Sequence, residues 1–447
     1  MKKIQVNNTY DLNLKGAPSP ELSNDVAVSN DYGLNLYRYN LKLRLLVKEG
    51  DSVKVGSPIA ENKKDEAVKF LSPVSGTVKE IVFGEKRIIS KVVIESDSKD
   101  SAIEFVKPST AADLTSLSAD DVASTLQSAG LWQGFVSYPF QAIPNSSERP
   151  VAIFVSLSND EVHSVDASLL LKEYEQEFLL GLEVLKRLSA KVSVAKSNRT
   201  ALPEAVSAVV THEISGAYPA NHPGVFLYHA KESVEENKSW AIDAQQVIRV
   251  GALYQTGQYP TQRVIVVAGE LAKQPRHIKI KEGASLSFIK DEQIGNDPLR
   301  LVAGGLLSGD KLNTDDFLAA NDYALNLVRE GSEQEMFTFF RPGFDKATYG
   351  NTYLSALSNN ENSMTTSLNG GERACISCGV CPNVCPVDLY PQVIMKSLYA
   401  KDIESAVSYG FLDCVQCGLC THVCPSKIDM DAMFRESKDN LWKEVNR

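Results

Sequence analysis

No cysteine occurs before Cys375, although the chain has 447 residues and 8 cysteines. A disulfide framework spreads its bridges through a small secreted domain, so this confinement excludes one and points to metal binding in a reducing compartment. Nowhere do about 18 uncharged apolar residues run together, which leaves the chain without a transmembrane segment of its own. The first residues, Met1-Lys2-Lys3-Ile4-Gln5-Val6-Asn7-Asn8, supply no apolar signal-peptide core, so export is not expected. Basic clusters interleaved with aromatics are missing too, and with a net charge of −10 nucleic acid is not an expected partner.

Catalytic signatures are equally scarce. No G-x-G-x-x-G follows a strand, so the usual phosphate-cradling turn for a dinucleotide is missing. Gly304-Gly-Leu-Leu-Ser-Gly309-Asp310-Lys311 approaches a P-loop, but Asp310 stands where the lysine belongs and would repel phosphate. With neither G-x-S-x-G nor a paired-carboxylate motif, hydrolysis has no support. His212, His222 and His229 lie close in sequence, yet their spacings fit neither H-E-x-x-H nor a paired zinc site, and they read as loop histidines.

What is present is ample apolar material, 43% hydrophobic with 16 Phe and 16 Tyr, enough for several cores. At the usual domain size of roughly 100–150 residues, three or four domains are expected.

The cysteines form two copies of one pattern, C-x2-C-x2-C-x3-C-P. The first is Cys375-Ile-Ser-Cys378-Gly-Val-Cys381-Pro-Asn-Val-Cys385-Pro386 and the second Cys414-Val-Gln-Cys417-Gly-Leu-Cys420-Thr-His-Val-Cys424-Pro425. Three thiolates at this spacing wrap one [4Fe–4S] cluster, while the fourth turns away to the other cluster. The pattern therefore predicts one cluster on Cys375, Cys378, Cys381 and Cys424, and a second on Cys414, Cys417, Cys420 and Cys385. Structural zinc also uses C-x2-C pairs, but it has no need of a third regular cysteine or a repeated Cys-Pro. His422 falls inside the second motif, where eight thiolates already complete two clusters, and it reads as part of the cluster environment. Gly379 and Gly418 are expected to relieve crowding near sulfide, and Ile376, Val380, Val415 and Leu419 to shield the clusters from water. Helices are expected around Ile394–Tyr399 and Ile403–Tyr409.

Upstream, Val47 to Ala60 and Leu71 to Val78 alternate apolar and polar residues with glycine at turns, similar to the barrel-sandwich hybrid of biotinyl and lipoyl domains. Lys63, Lys64 and Lys69 are the lysines to consider for carrier modification. The segment between Ala60 and Pro73 lacks the signature that modifying enzymes read, so the unit is taken as structural. From about residue 105 strands and helices alternate, with Val151–Val155, a helical stripe of Tyr174, Phe178, Leu182 and Leu185, then Lys191–Ala195. Further on, Arg263–Gly269, Pro275–Ile280 and Gly283–Leu286 resemble a β-grasp ligand-binding module. The fold expected is multidomain α+β: a barrel-sandwich hybrid over 1–104, a Rossmann-like α/β domain over 105–260, a β-grasp unit over 261–335, a linker over 336–371 and a helical ferredoxin domain over 372–447.

That order resembles the family of A-type subunits of the sodium-translocating NADH:quinone reductase, and the related C-type subunits of the Rnf complex. Segments leaning toward the A-type family are Asp11-Leu-Asn-Leu-Lys-Gly-Ala-Pro18, Gly130-Leu-Trp132 with Pro139-Phe140 and Ile143-Pro144, Gln246 through Gly257 to Val266-Val-Ala-Gly269, and Arg341-Pro-Gly343 after Met336-Phe337. Where the Rnf C-type proteins carry a glycine-rich flavin loop, this chain has Leu131-Trp-Gln-Gly-Phe-Val-Ser-Tyr-Pro, so FMN and NADH binding are not carried over. The resemblance implies a subunit on the cytoplasmic side of the inner (plasma) membrane, held through partner subunits. The complex would pass electrons from NADH to a quinone and export sodium, with quinone interaction on this subunit and NADH oxidised on another. Two departures stand out: the well-known members lack most of these cysteines, and Tyr138 occupies a position where they tend to show Arg. The complete quartets keep an Rnf-type subunit open, as well as a structural subunit whose clusters serve folding.

Overall fold

The runs rich in β-branched residues between Ile153 and Asp243 build a sheet that is parallel except at one edge. In this computed structural model its strand order is Lys2–Gln5, His212–Ser215, Val192–Ser197, Ile153–Ser156, Trp240–Asp243 and Val136–Ser137, with only the last strand antiparallel. The structure describes residues 1–446 except 28, 40, 159–160, 332–339, 341, 345–352, 358–360, 365 and 368–370, and no side chains for 24–27. The strands at the centre are buried on both faces, as parallel strands covered by helices must be. The expected helical stripe forms Glu175–Leu188, burying Phe178, Leu182 and Leu185, each contributing roughly 1.5–3 kcal/mol of hydrophobic burial. This helix packs on Ala244–Thr256 at very short range. A Cβ on Gly251 would lie 1.8 Å from the Glu177 carbonyl oxygen, and one on Gly181 2.1 Å from that of Val247.

The second sheet is mixed, in the order Asp310–Leu312, Leu299–Ala303, Ala324–Arg329, Gln262–Ala268, Arg276–Lys281 and Leu22–Ala27. The glycine-rich Gly304–Lys311 segment falls in the hairpin joining its first two strands, not in the strand-to-helix turn of a P-loop. Asp310 there pairs with Arg38 at 2.9 Å.

Two small sheets make the barrel-sandwich unit. One runs Asp31–Asn35, Ile89–Ser96, Gly76–Phe83, Ser52–Val53 and the other Leu43–Leu45, Pro58–Asn62, Asp65–Leu71. Lys63 and Lys64 occupy the turn of the Pro58–Leu71 hairpin, and Lys69 lies in its second strand. Two strands from the start of the expected unit 1–104 also join the other sheets. Lys2–Gln5 pairs with His212–Ser215 in the parallel sheet, and Leu22–Ala27 with Arg276–Lys281 in the mixed sheet. An edge strand is recruited by whichever sheet has an open row of backbone groups, and that is not set by neighbours in sequence.

Much of the expected linker 336–371, including Met336, Phe337 and Arg341, lies outside the described residues. After it come the cysteine motifs and the helices Pro391–Tyr399, Ile403–Ser408, Leu419–His422 and Met430–Val445. Among the described residues no helix is long and apolar enough to cross a membrane.

Candidate metal centre

The two cysteine motifs repeat one backbone course. Ser377 and Gln416, each two residues after the first cysteine, have φ of 53° and 56°; Gly379 and Gly418 have 76° and 75°; Asp388 and Lys427, after each Cys-Pro, have 53° and 57°. Left-handed residues placed among right-handed ones turn successive N–H groups toward one side, the arrangement that cradles anions such as sulfide. The two glycines differ in what surrounds them. An added Cβ at Gly379 meets nothing within 4 Å, whereas at Gly418 it would lie 2.6 Å from the Leu307 carbonyl oxygen, so the crowding found at Gly418 comes from the mixed-sheet unit.

The thiols fall into two sets that cross between the motifs. Cys375, Cys378, Cys381 and Cys424 line one pocket together with Met395, Ile428 and Met430. Cys385 lies within electrostatic reach of Cys414, and both Cys417 and Cys420 within reach of Cys414 and Cys385. All eight cysteines are free thiols. Burial pushes Cys381 up to about 11 and Cys385 up to about 12, and raises Cys414, Cys417 and Cys420 as well. A buried thiol resists ionising unless a cation receives it. Among the described residues no three His, Cys, Asp or Glu side chains are gathered as for a single metal ion.

The sets differ in surroundings. Cys378 is exposed, and so is Ile376 at 68%, which therefore leaves the first pocket open to water instead of closing it as expected. Val415 and Leu419, at 3% and 0%, are buried beside the second set. Around that set the polypeptide is held by donors from elsewhere in the chain. Tyr218 Oη donates to the Cys417 carbonyl at 2.7 Å and Gln141 Nε2 to that of Cys414 at 2.8 Å. Lys438 Nζ reaches the carbonyls of Cys414, Leu412 and Pro139 at 2.6, 3.1 and 3.1 Å. His229 Nε2 lies 2.8 Å from the Pro386 carbonyl.

The histidines sort accordingly. His212 is buried in its strand with Nδ1 2.7 Å from the Thr211 hydroxyl, and His222 caps the helix Pro223–Ala230 by accepting from the Gly224 N–H. His422 packs against the Tyr10 ring, 5.8 Å between centroids. Tyr138 is buried, and its hydroxyl lies 2.8 Å from where a Gly224 Cβ would stand, as does a methyl of Val415.

Sequence reasoning missed Lys438 and Gln141. The signal for Lys438 was available: Met430, Phe434 and Lys438 recur every four residues on the last helix, which places a lysine on its apolar stripe, and all three are buried.

A second cavity, of about 240 Å³, opens where three parallel strands end. It is lined by His163, Arg199 and Tyr218 from the loops after those strands, and closed by Asp11, Asn13 and Glu361. The carboxyl ends of parallel strands are where open α/β sheets take ligands, and here Tyr218 belongs both to that crevice and to the second cysteine set.

Known proteins share this arrangement domain by domain. A 4Fe-4S dicluster domain matches residues 374–429, the NqrA N-terminal barrel-sandwich hybrid domain residues 4–97, and the NqrA second alpha/beta domain residues 117–259. NqrA of Mannheimia succiniciproducens, the A-type polypeptide of its Na(+)-translocating NADH-quinone reductase, is 33% identical over 99% of this chain and 100% of its own length. The corresponding protein of Actinobacillus pleuropneumoniae serotype 3 is 32% identical over 92% of each chain. The chain belongs to the NqrA family. Among solved structures, an NAD+-reducing [NiFe]-hydrogenase in the air-oxidized state aligns at 13% identity over 52% of each chain, with a TM-score of 0.34. As a member of the NqrA family, the chain carries the family's barrel-sandwich hybrid and α/β domains and, after them, a 4Fe-4S domain.

Proposed function

We propose that this chain is a peripheral subunit, on the cytoplasmic side, of a sodium-pumping NADH:quinone oxidoreductase, and that it relays electrons through two [4Fe–4S] clusters. One cluster is held by Cys375, Cys378, Cys381 and Cys424, the other by Cys414, Cys417, Cys420 and Cys385. The observation that carries this reading is the sorting of the thiols into two crossed sets of four. In it the parallel-sheet domain is Rossmann-like and the mixed-sheet unit β-grasp-like. Quinone interaction is attached to the complex by the name of its relatives, and NADH oxidation belongs to another subunit.

When bound, each cluster supplies reversible one-electron transfer at a nearly fixed geometry. The chain's own residues set the two sites apart. Exposed Cys378 brings the first set to the surface, where a redox partner can approach. Val415 and Leu419 keep water from the second, while Tyr218 and Gln141 fix its loop against the α/β domain.

One observation favours a second reading, in which the clusters serve folding alone: Gln141, Tyr218 and Lys438 tie the second motif to the rest of the protein, and His229 ties the Cys385-Pro386 turn. Rapid-freeze EPR of the whole complex after mixing with NADH separates the two. Reduction of both clusters within one turnover supports the relay. Clusters that stay oxidised while quinone is reduced support the structural role and contradict the relay.

A further inference from the structure

Lys438 is 1% exposed, yet it carries an ammonium group into the interior of the cysteine module. Its Nζ is 2.6 Å from the carbonyl oxygen of Cys414 and 3.1 Å from those of Leu412 and Pro139. Three acceptors and no donor meet the nitrogen, which matches the three hydrogens of a charged ammonium. A buried charge without a counter-charge is costly. The nearest anionic candidates are Cys414, as a cluster thiolate, and Asp413, whose side chain also pairs with Lys231 at 3.4 Å. Three helix residues earlier, Arg435 pairs with Asp431 at 2.6 Å and donates to the Gln416 carbonyl at 3.0 Å, so its charge is largely answered locally. The pocket of the first set is lined by Ser377, Gln392 and Ser426 with cysteine, glycine, proline and apolar side chains, and the cation that reaches it, Lys396 on Ser377 Oγ at 3.1 Å, is exposed and screened by water, unlike Lys438.

We propose that Lys438 is a built-in counter-cation for the cluster on Cys414, Cys417, Cys420 and Cys385, and that it raises the reduction potential of that cluster above that of the other. Adding an electron makes a cluster more negative, and a fixed positive charge held in a water-poor interior stabilises that state with little screening. The electron then rests on the inner cluster, next to the α/β domain, and the surface cluster acts as the port. This inference rests on the cluster assignment proposed above and adds a positioning residue to it.

The test is an EPR-monitored redox titration of the full-length, iron-loaded protein with a water-soluble lanthanide chelate as relaxant. In the unaltered chain the first cluster reduced is expected to be the one whose relaxation the chelate leaves unchanged. Reduction of the chelate-sensitive cluster first overturns the proposal. K438M is expected to lower the reduction equilibrium of the inner cluster by about tenfold, which is about 59 mV for one electron, with the outer cluster unmoved. K438R, which keeps the charge, is expected to restore it. Equal potentials in K438M and unaltered protein also overturn the proposal. Iron and sulfide counts made on each sample distinguish this failure from that of the cluster assignment: protein that holds no iron sinks the assignment, whereas loaded protein with the wrong order sinks only the role of Lys438. Should K438M fail to load, the order of reduction in the unaltered chain decides alone.

Discussion

The hydroxyl of Tyr218 donates to the main-chain carbonyl of Cys417 at 2.7 Å, across 199 residues of sequence. Tyr218 follows the strand His212–Ser215, so the contact ties the crevice at the end of the parallel sheet to the loop that carries the second set of thiols. Tyr218→Phe removes the donor to a partly buried carbonyl and is expected to cost about 0.5–1.5 kcal/mol. The check is the urea midpoint under anaerobic conditions. An unchanged midpoint with full iron content would show that the contact contributes nothing.

A buried ion pair links the α/β domain to the mixed sheet. The Arg249 guanidinium donates to Glu282 at 2.7 Å and to the Tyr259 hydroxyl at 2.8 Å, and Tyr259 in turn donates to Glu282. Both charged side chains are under a tenth exposed, at 4% and 8%. Glu282→Gln strands the guanidinium, and a loss of about 3–5 kcal/mol is expected from breaking one side of such a pair. Denaturant unfolding followed by circular dichroism measures it.

His222 gives the fold a pH dependence near neutrality. Burial, with repulsion from Arg435 and Lys438 added, lowers its pKa from 6.5 to about 4. The folded state therefore holds it neutral, while the unfolded chain takes up a proton below about 6.5. Its contribution is complete above that pH and is lost progressively as pH falls from 6.5 toward 4. His222→Asn keeps a capping acceptor for the Gly224 N–H but does not titrate. A flatter melting temperature between those pH values is expected for the variant; parallel curves would refute the assignment.

Crossed ligation makes a prediction that sequential ligation does not. Cys385→Ser is expected to damage the cluster of the second triplet, so its surviving EPR signal should match that of Cys414→Ser. Cys424→Ser should instead match Cys375→Ser. Pairing of Cys385→Ser with Cys375→Ser would mean that each motif serves its own cluster.

The parts legible in sequence are those set by local rules. The C-x2-C-x2-C-x3-C-P spacing marks the segment that a 4Fe-4S dicluster domain matches, and the stripe of Phe178, Leu182 and Leu185 forms the helix its period requires. What escapes depends on contacts between distant segments. Nothing around Lys2–Gln5 announces that it will pair with His212–Ser215, because strand pairing beyond a hairpin leaves no local mark. Gln141 and Tyr218 look like ordinary loop residues until the cysteine module docks on them. Ile376 is apolar and adjacent to a cysteine, which suggests shielding, but exposure is decided by the side of the loop on which it falls.

The central claim is that this member of the family carries two clusters, and anaerobic purification with iron and sulfide quantification, joined to EPR of the dithionite-reduced protein, tests it most directly. The expected result is about eight iron and about eight sulfide per chain, four of each for every four-cysteine cluster, with two interacting S = 1/2 signals. Zinc in place of iron, or folded protein with no metal, would contradict it.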